Sequence, residues 1–349
     1  MKNEFLENAN EDILAYSCPL DEMFRTIHKE PPSKMIYSGI KQNSVGFVFG
    51  PSKTGKSIFC ENLGMLIAAG ANEYLGEHIG IKDGKVLFVS LEEFYRGRTE
   101  RNLKQAKKLR QSYGKDWTSN FHTAPKNFPR YLATNEEWQL LHKLIDNCKP
   151  DVVFIDSLSR LYNGSIEESH LAKEVMKRLR ELANSTRTTI IVIHHTPKIH
   201  NQPLSIDSLA GSRILAQDAD FLIGINKTYD NRRYVKEVAF RYHQENNETV
   251  KLFSIDDDLW LSYTGDDEEM TLLAGYDGRR TDVMRKAIFD FIINKSEIYA
   301  NGIPFQEIKT RFVNTKQLTS VALNDNLNKL ISEEKIIRIS KGIYKPLLN

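Results

Sequence analysis

Val45-Gly-Phe-Val-Phe49-Gly50-Pro51-Ser52-Lys53-Thr54-Gly55-Lys56-Ser57 passes from an apolar run into a glycine-bounded turn and on to a stretch compatible with a helix. The turn, Gly50 to Ser57, meets every fixed position of the phosphate-binding loop pattern G-x-x-x-x-G-K-[ST]. Each fixed position has a physical task. Glycines let backbone N–H groups turn toward a phosphate, and the helix starting here adds its positive end. Lys56 reaches the β/γ oxygens of a nucleoside triphosphate, and the Ser57 hydroxyl faces Mg²⁺.

Outward from this loop the rhythm repeats. Val86-Leu-Phe-Val-Ser90, Val152-Val-Phe-Ile155, Thr189-Ile-Ile-Val-Ile193 and Phe221-Leu-Ile-Gly-Ile225 are mostly apolar at consecutive positions, as strands buried on both faces require. Residues 97–112, 136–147 and 167–184 lie between them and are amphipathic. The alternation reads as an α/β fold with a mostly parallel central sheet. Residues 234–240 and 249–255 alternate in polarity and lie close together, so an antiparallel extension is expected at one edge.

Composition narrows the function. The 349 residues allow about two domains. Lys plus Arg is 48 and Asp plus Glu is 46, which excludes a polycationic coat, so any nucleic-acid contact has to be a local patch. Cys18, Cys60 and Cys148 are too far apart for a zinc knuckle or a redox pair, and a reduced, cytoplasmic protein is expected. The absence of a long apolar run predicts neither secretion nor a membrane span.

Other strand ends carry further candidates. Asp156 ends the run Val152–Ile155, where a carboxylate can hold the hydration shell of Mg²⁺. Glu92 and Glu93 follow the strand 86–90, and either can orient or deprotonate an attacking water or simply cap the next helix. His194 and His195 close the strand 189–193, as sensors of the γ-phosphate or as ordinary packing; zinc lacks a third ligand at useful spacing.

On these motifs, residues 33–260 resemble the RecA-like ATPases, and among them the plasmid hexameric replicative helicases of the RepA group. The carriers are Gly50–Ser57, Ser90-Leu-Glu92-Glu93, Phe154-Ile-Asp156, Ile193-His-His195-Thr-Pro-Lys198, and Gly211-Ser-Arg213 followed by Asp218-Ala-Asp220. The resemblance implies ATP hydrolysis coupled to translocation on or remodelling of DNA, in a plasmid or mobile-element replication protein. It implies a homo-oligomer, expected as a hexameric ring, with ATP between subunits. Glu92 or Glu93 becomes the catalytic base, with Glu93 slightly preferred. Arg241 becomes the arginine finger, with Lys236 as a weaker companion. Lys198 and Arg213 become single-stranded DNA or subunit contacts, with Arg232 and Arg233 weaker candidates for the same strand. A repair or recombination ATPase, or an ATP-gated DNA-binding adaptor, are the alternatives.

Residues 263–280, rich in Asp, Glu, Gly and Arg, read as a linker, and residues 1–32 as an N-terminal strap or oligomerisation segment before the ATPase domain at 33–262. The remainder, 281–349, reads as helix, short helix, helix and hairpin, the order of a winged helix. Lys316 near the start of its third helix, and Lys335 and Arg338 around the wing, are candidate nucleic-acid contacts. Glu333 and Glu334 weaken that reading and keep a protein partner open.

Overall fold

Apolar runs bounded by Gly, Pro and Asp become strands here, and the amphipathic segments between them become helices. The computed structural model describes residues 18–114, 116–197, 202–209, 213–228, 231–274, 280–296, 298–299, 301–314 and 318–347. In chain order the elements are α1 (Leu20–Ile27), β1 (Met35–Tyr37), β2 (Ile40–Lys41), β3 (Val45–Pro51), α2 (Lys56–Ala68), β4 (Glu73–Tyr74), β5 (Glu77–His78), β6 (Val86–Ser90), α3 (Tyr95–Tyr113), β7 (Phe121–Thr123), α4 (Asn135–Cys148), β8 (Val152–Asp156), α5 (Ser169–Thr186) and β9 (Thr189–Thr196). There follow α6 (Arg213–Asp218), β10 (Phe221–Lys227), β11 (Arg233–Phe240), β12 (Thr249–Ile255), β13 (Leu261–Glu268), α7 (Glu269–Ala274), α8 (Arg280–Ser296), β14 (Ile303–Pro304), α9 (Phe305–Phe312), α10 (Ser320–Ser332), β15 (Ile336–Ser340) and β16 (Ile343–Pro346).

One nine-stranded sheet has the order β13-β12-β11-β10-β3-β9-β8-β6-β7. From β10 to β7 every pairing is parallel, and from β10 to β13 every pairing is antiparallel. The pleat sends alternate residues of β3 into different cores: Val45, Phe47 and Phe49 into one, Val48 into the other. On the first face lie Trp138, Leu141 and Ile145 of α4 with Val175, Met176 and Leu179 of α5. On the second lie Phe59, Cys60 and Leu63 of α2. With both faces covered, the parallel strands have no need to alternate, which is why their runs are continuously apolar.

The parallel register brings strand ends together. Ser90 pairs with Asp156, Asp156 with Ile193, and Ile193 with Val48. Gly50, Glu92, Asp156 and His195 therefore meet along one edge, where open α/β sheets bind ligands.

Two expectations change. Residues 263–268 are not linker but the continuation of β13, paired with β12 from Leu261 to Glu268, and 269–274 form α7. An edge strand needs no buried face, and its acidic side chains deter further pairing, so it carries no apolar alternation to read. Residues 275–279 of the expected linker lie outside the described residues. The C-terminal piece is a small α/β unit with its own core, including Ile288, Ile292, Ile308, Phe312, Leu327 and Tyr344, and a three-stranded sheet in the order β14-β16-β15. At the other end, α1 leaves Leu20, Met23, Phe24 and Ile27 exposed. Among the described residues, no helix is long and apolar enough to cross a membrane.

Candidate active site

The loop after β3 explains its own glycines. Gly50 has φ +148°, and a Cβ there would collide with the backbone oxygen of Ile225 on β10. Gly55, at φ +112°, stands at the N-cap of α2, where a Cβ would come within 3.1 Å of Ile255 Cδ1. An L side chain is strained at both positions. Thr54 Oγ1 donates to the Pro51 oxygen at 3.0 Å. Lys56, only 3% exposed, donates from Nζ to the oxygens of Gly50 (2.8 Å) and Pro51 (2.7 Å). Burial pushes its ammonium down to about 8, against the opposing attraction of Asp156. A group desolvated in this way gains most from the negative charge of a triphosphate.

Beside the loop a cleft of about 450 Å³ is lined by Lys53, Gly55, Lys56, Ser57, His195 and Arg233, among others. Arg233, considered above only as a weak strand contact, begins β11 at the mouth of this cleft, and its Nε is buried without a hydrogen-bond partner. No motif in the sequence marks it. The antiparallel pairing of Arg233 with Lys227 at the end of β10 puts it there.

Asp156 is buried at the end of β8, and its Oδ1 has no hydrogen-bond partner. Burial raises its carboxyl to about 6, against the pull of the neighbouring Ser57 hydroxyl. Ligand atoms of Glu92, Asp156 and His195 lie within 4.8 Å of one another. A desolvated carboxylate oxygen with no donor, next to a serine hydroxyl, is a donor set that suits a hard cation.

The two glutamates separate. Glu92 Oε1 accepts from the hydroxyls of Ser157 and Ser159 (2.9 Å from Ser159), and Glu92 Oε2 lies 3.3 Å from His195 Nε2. The His195 contact, with help from both serines, holds this carboxyl down to about 2 even though burial pushes the other way. Glu93 turns aside, accepting from Arg101 Nη1 at 2.8 Å, while Arg101 Nη2 donates to the buried Glu61 at 2.7 Å. The slight preference for Glu93 is thereby reversed. The histidines separate in the same way, because neighbours on a strand face opposite sides. His195 joins the cluster, whereas His194 is buried against the Phe47 ring, 6.5 Å between centroids.

The remaining candidates lie elsewhere. Arg241 follows β11 at the opposite edge of the parallel strands, its Nε 3.3 Å from Asp220 Oδ1. Lys236 is buried, donating to the Leu204 oxygen at 2.7 Å and paired with Glu269, so it is no finger. Arg213 is exposed at the start of α6, and Arg338 is exposed on β15. Lys335 pairs with Glu333 at 2.9 Å. Lys198 and Lys316 lie outside the described residues.

The family model for the AAA domain matches residues 18–201. Comparison with curated proteins finds no match. Among solved structures, the chain is similar to an isolated ATPase domain, with a TM-score of 0.52 and 14% identity over 71% of this chain and 99% of that one. At that identity the likeness establishes the fold alone. The matched span of the family model is more than half of the chain and holds the phosphate loop, Glu92, Asp156 and His195. The chain belongs to the AAA-domain family, and it is an ATP-hydrolysing enzyme.

Proposed function

We propose that this ATPase drives translocation on or remodelling of nucleic acid as a helicase-like homo-oligomer, with each ATP site completed by a neighbouring copy. The observation that carries the reading is the placement of Arg241. Its guanidinium, 47% exposed beside Asp220, stands at the edge of the sheet opposite the chain's own phosphate loop. It cannot reach that loop from within the same chain, but a head-to-tail contact between copies presents it to another's cleft. The resemblance of the motif set to hexameric replicative helicases of plasmids and mobile elements supports the ring and the DNA substrate.

Within the site, Ser57 and Asp156 would hold Mg²⁺, which supplies charge neutralisation at the β and γ oxygens when bound. Lys56 contributes the same from the protein side. Glu92 remains ionised at neutral pH. A carboxylate held near 2 is a weak proton acceptor, so its main task is to orient the attacking water in line with the γ-phosphorus. His195 and Ser159 fix that carboxylate, so a change at the γ-phosphate can pass through His195 into the segment after β9. Arg233 offers a further donor at the cleft mouth.

The C-terminal unit is assigned as a winged helix, supported by its order of helix, strand, helix, helix and hairpin. Thr319 caps α10 by accepting from the Ala322 N–H at 3.2 Å. Exposed Arg338 on the hairpin favours duplex contact, while the Lys335–Glu333 pair leaves less free charge there and keeps a protein partner as the alternative.

A shared site has a direct test by complementation. Arg241→Ala and Lys56→Ala are each expected to turn over ATP poorly. A mixture under assembling conditions creates interfaces with one intact loop and one intact finger, so turnover should recover to about a quarter of wild type by random mixing. No recovery on mixing, with co-assembly verified by light scattering, would remove Arg241 from the site.

A further inference from the structure

A second cleft, of about 330 Å³, opens beyond the C-terminal ends of β6 and β7, away from the phosphate loop. Its walls combine cations and rings: Phe94, Tyr95, Arg96, Arg98, Lys126 and Arg130. The α3 helix begins here, with Phe94 as an N-cap that offers no side-chain acceptor and with no acidic residue in the first turn. Arginines at 96 and 98 in that turn oppose the helix dipole, an arrangement that costs stability unless an anion sits there. Arg98 adds an independent sign. It is only 6% exposed, and its Nε and Nη2 have no hydrogen-bond partner; Glu61 stands 3.7 Å from Nε, and the guanidinium lies over the Phe88 ring at 4.7 Å.

The rings indicate what kind of anion. Phe94 is 76% exposed, an unusual position for a phenyl ring, and the Arg130 guanidinium stacks on it at 4.5 Å. Tyr95 is exposed beside it. A flat apolar face next to several cations suits a nucleotide unit, with a base to stack and a phosphate to pair. The acidic groups nearby are already engaged: Glu93 by Arg101, and Glu100 by Arg96 at 2.9 Å on the surface, where such a pair contributes little.

We propose that this cleft binds a nucleotide unit of single-stranded nucleic acid, separately from the ATP site, and passes its occupancy to Glu92 through Arg130. The link is on the main chain: Arg130 Nη2 donates to the oxygens of Glu92 (3.4 Å) and Glu93. A strand that draws the Arg130 guanidinium toward its phosphate shifts the backbone carrying the water-orienting carboxylate. The inference rests on the nucleic-acid reading above and gives that reading a location.

The test compares the full chain with its Phe94→Ala/Arg96→Ala double variant, both side chains being exposed. Fluorescence anisotropy follows a labelled 20-mer of oligo(dT), and steady-state ATP turnover is read with and without it. The double variant is expected to bind the oligonucleotide at least about tenfold more weakly, since stacking on one ring is worth about that factor or more. Its basal turnover should stay at the wild-type level, and its stimulation by the oligonucleotide should be lost. If the wild type binds and is stimulated while the double variant does the same, the cleft is overturned and the nucleic-acid function stands. If the wild type neither binds nor responds, the function fails and the cleft falls with it. Competition by dTMP as effective as by the 20-mer, nucleotide for nucleotide, or binding of poly-glutamate in place of the oligonucleotide, would overturn the single-strand assignment.

Discussion

Glu92→Gln is expected to lower ATP turnover by about 10²- to 10⁴-fold while leaving nucleotide binding intact, the range associated with loss of a positioned acid–base group. The amide keeps the shape and some hydrogen bonds to Ser157 and Ser159 but removes the charge that orients water. Glu93→Gln is expected to stay within a few-fold of wild type, because Glu93 faces Arg101 and not the Asp156 cluster. Single-turnover hydrolysis and equilibrium binding of a fluorescent ATP analogue separate the two effects. The reverse ranking, with Glu93→Gln the dead enzyme, would show that Glu92 is only a hydrogen-bonded strand end.

Lys56→Ala should abolish measurable turnover and weaken nucleotide binding. Its ammonium is buried among loop oxygens and is the cation that the loop pattern aims at the phosphates. The sign of its pH dependence follows from its depressed value. In the free enzyme Lys56 deprotonates as pH rises through about 8, and a bound triphosphate favours the charged form. Binding therefore takes up a proton above that pH, and affinity declines by up to about tenfold per pH unit. Calorimetry in buffers of different ionisation enthalpy reads the proton directly. The uptake should vanish in any Lys56 variant that still binds nucleotide, and its absence in the wild type would place the ammonium outside the phosphate site.

The parallel sheet and its active edge were legible because both are written in local patterns. Continuous apolar runs mark strands covered on both faces, and a loop with fixed glycines marks where the phosphate goes. Once β3 and β8 are parallel neighbours of β9, Asp156 and His195 have no other edge to occupy. The choice between Glu92 and Glu93 is not local. It depends on Arg101 from α3 pulling one carboxylate away and on His195 from β9 holding the other. Lys236 and Glu269 make the same point, since the acidic segment read as a linker supplies the buried partner of a lysine read as a possible finger. Arg233 was placed in the cleft by strand register alone, which no spacing in the sequence reveals.

The central claim is a motor whose ATP site is completed between copies and whose turnover responds to nucleic acid. Steady-state ATP turnover per chain, measured across protein concentrations with and without single-stranded DNA, tests it most directly. The expected result is a specific activity that climbs steeply with concentration and rises strongly when the strand is added. Specific activity that is independent of concentration and unchanged by the strand would contradict the shared site and the nucleic-acid substrate together.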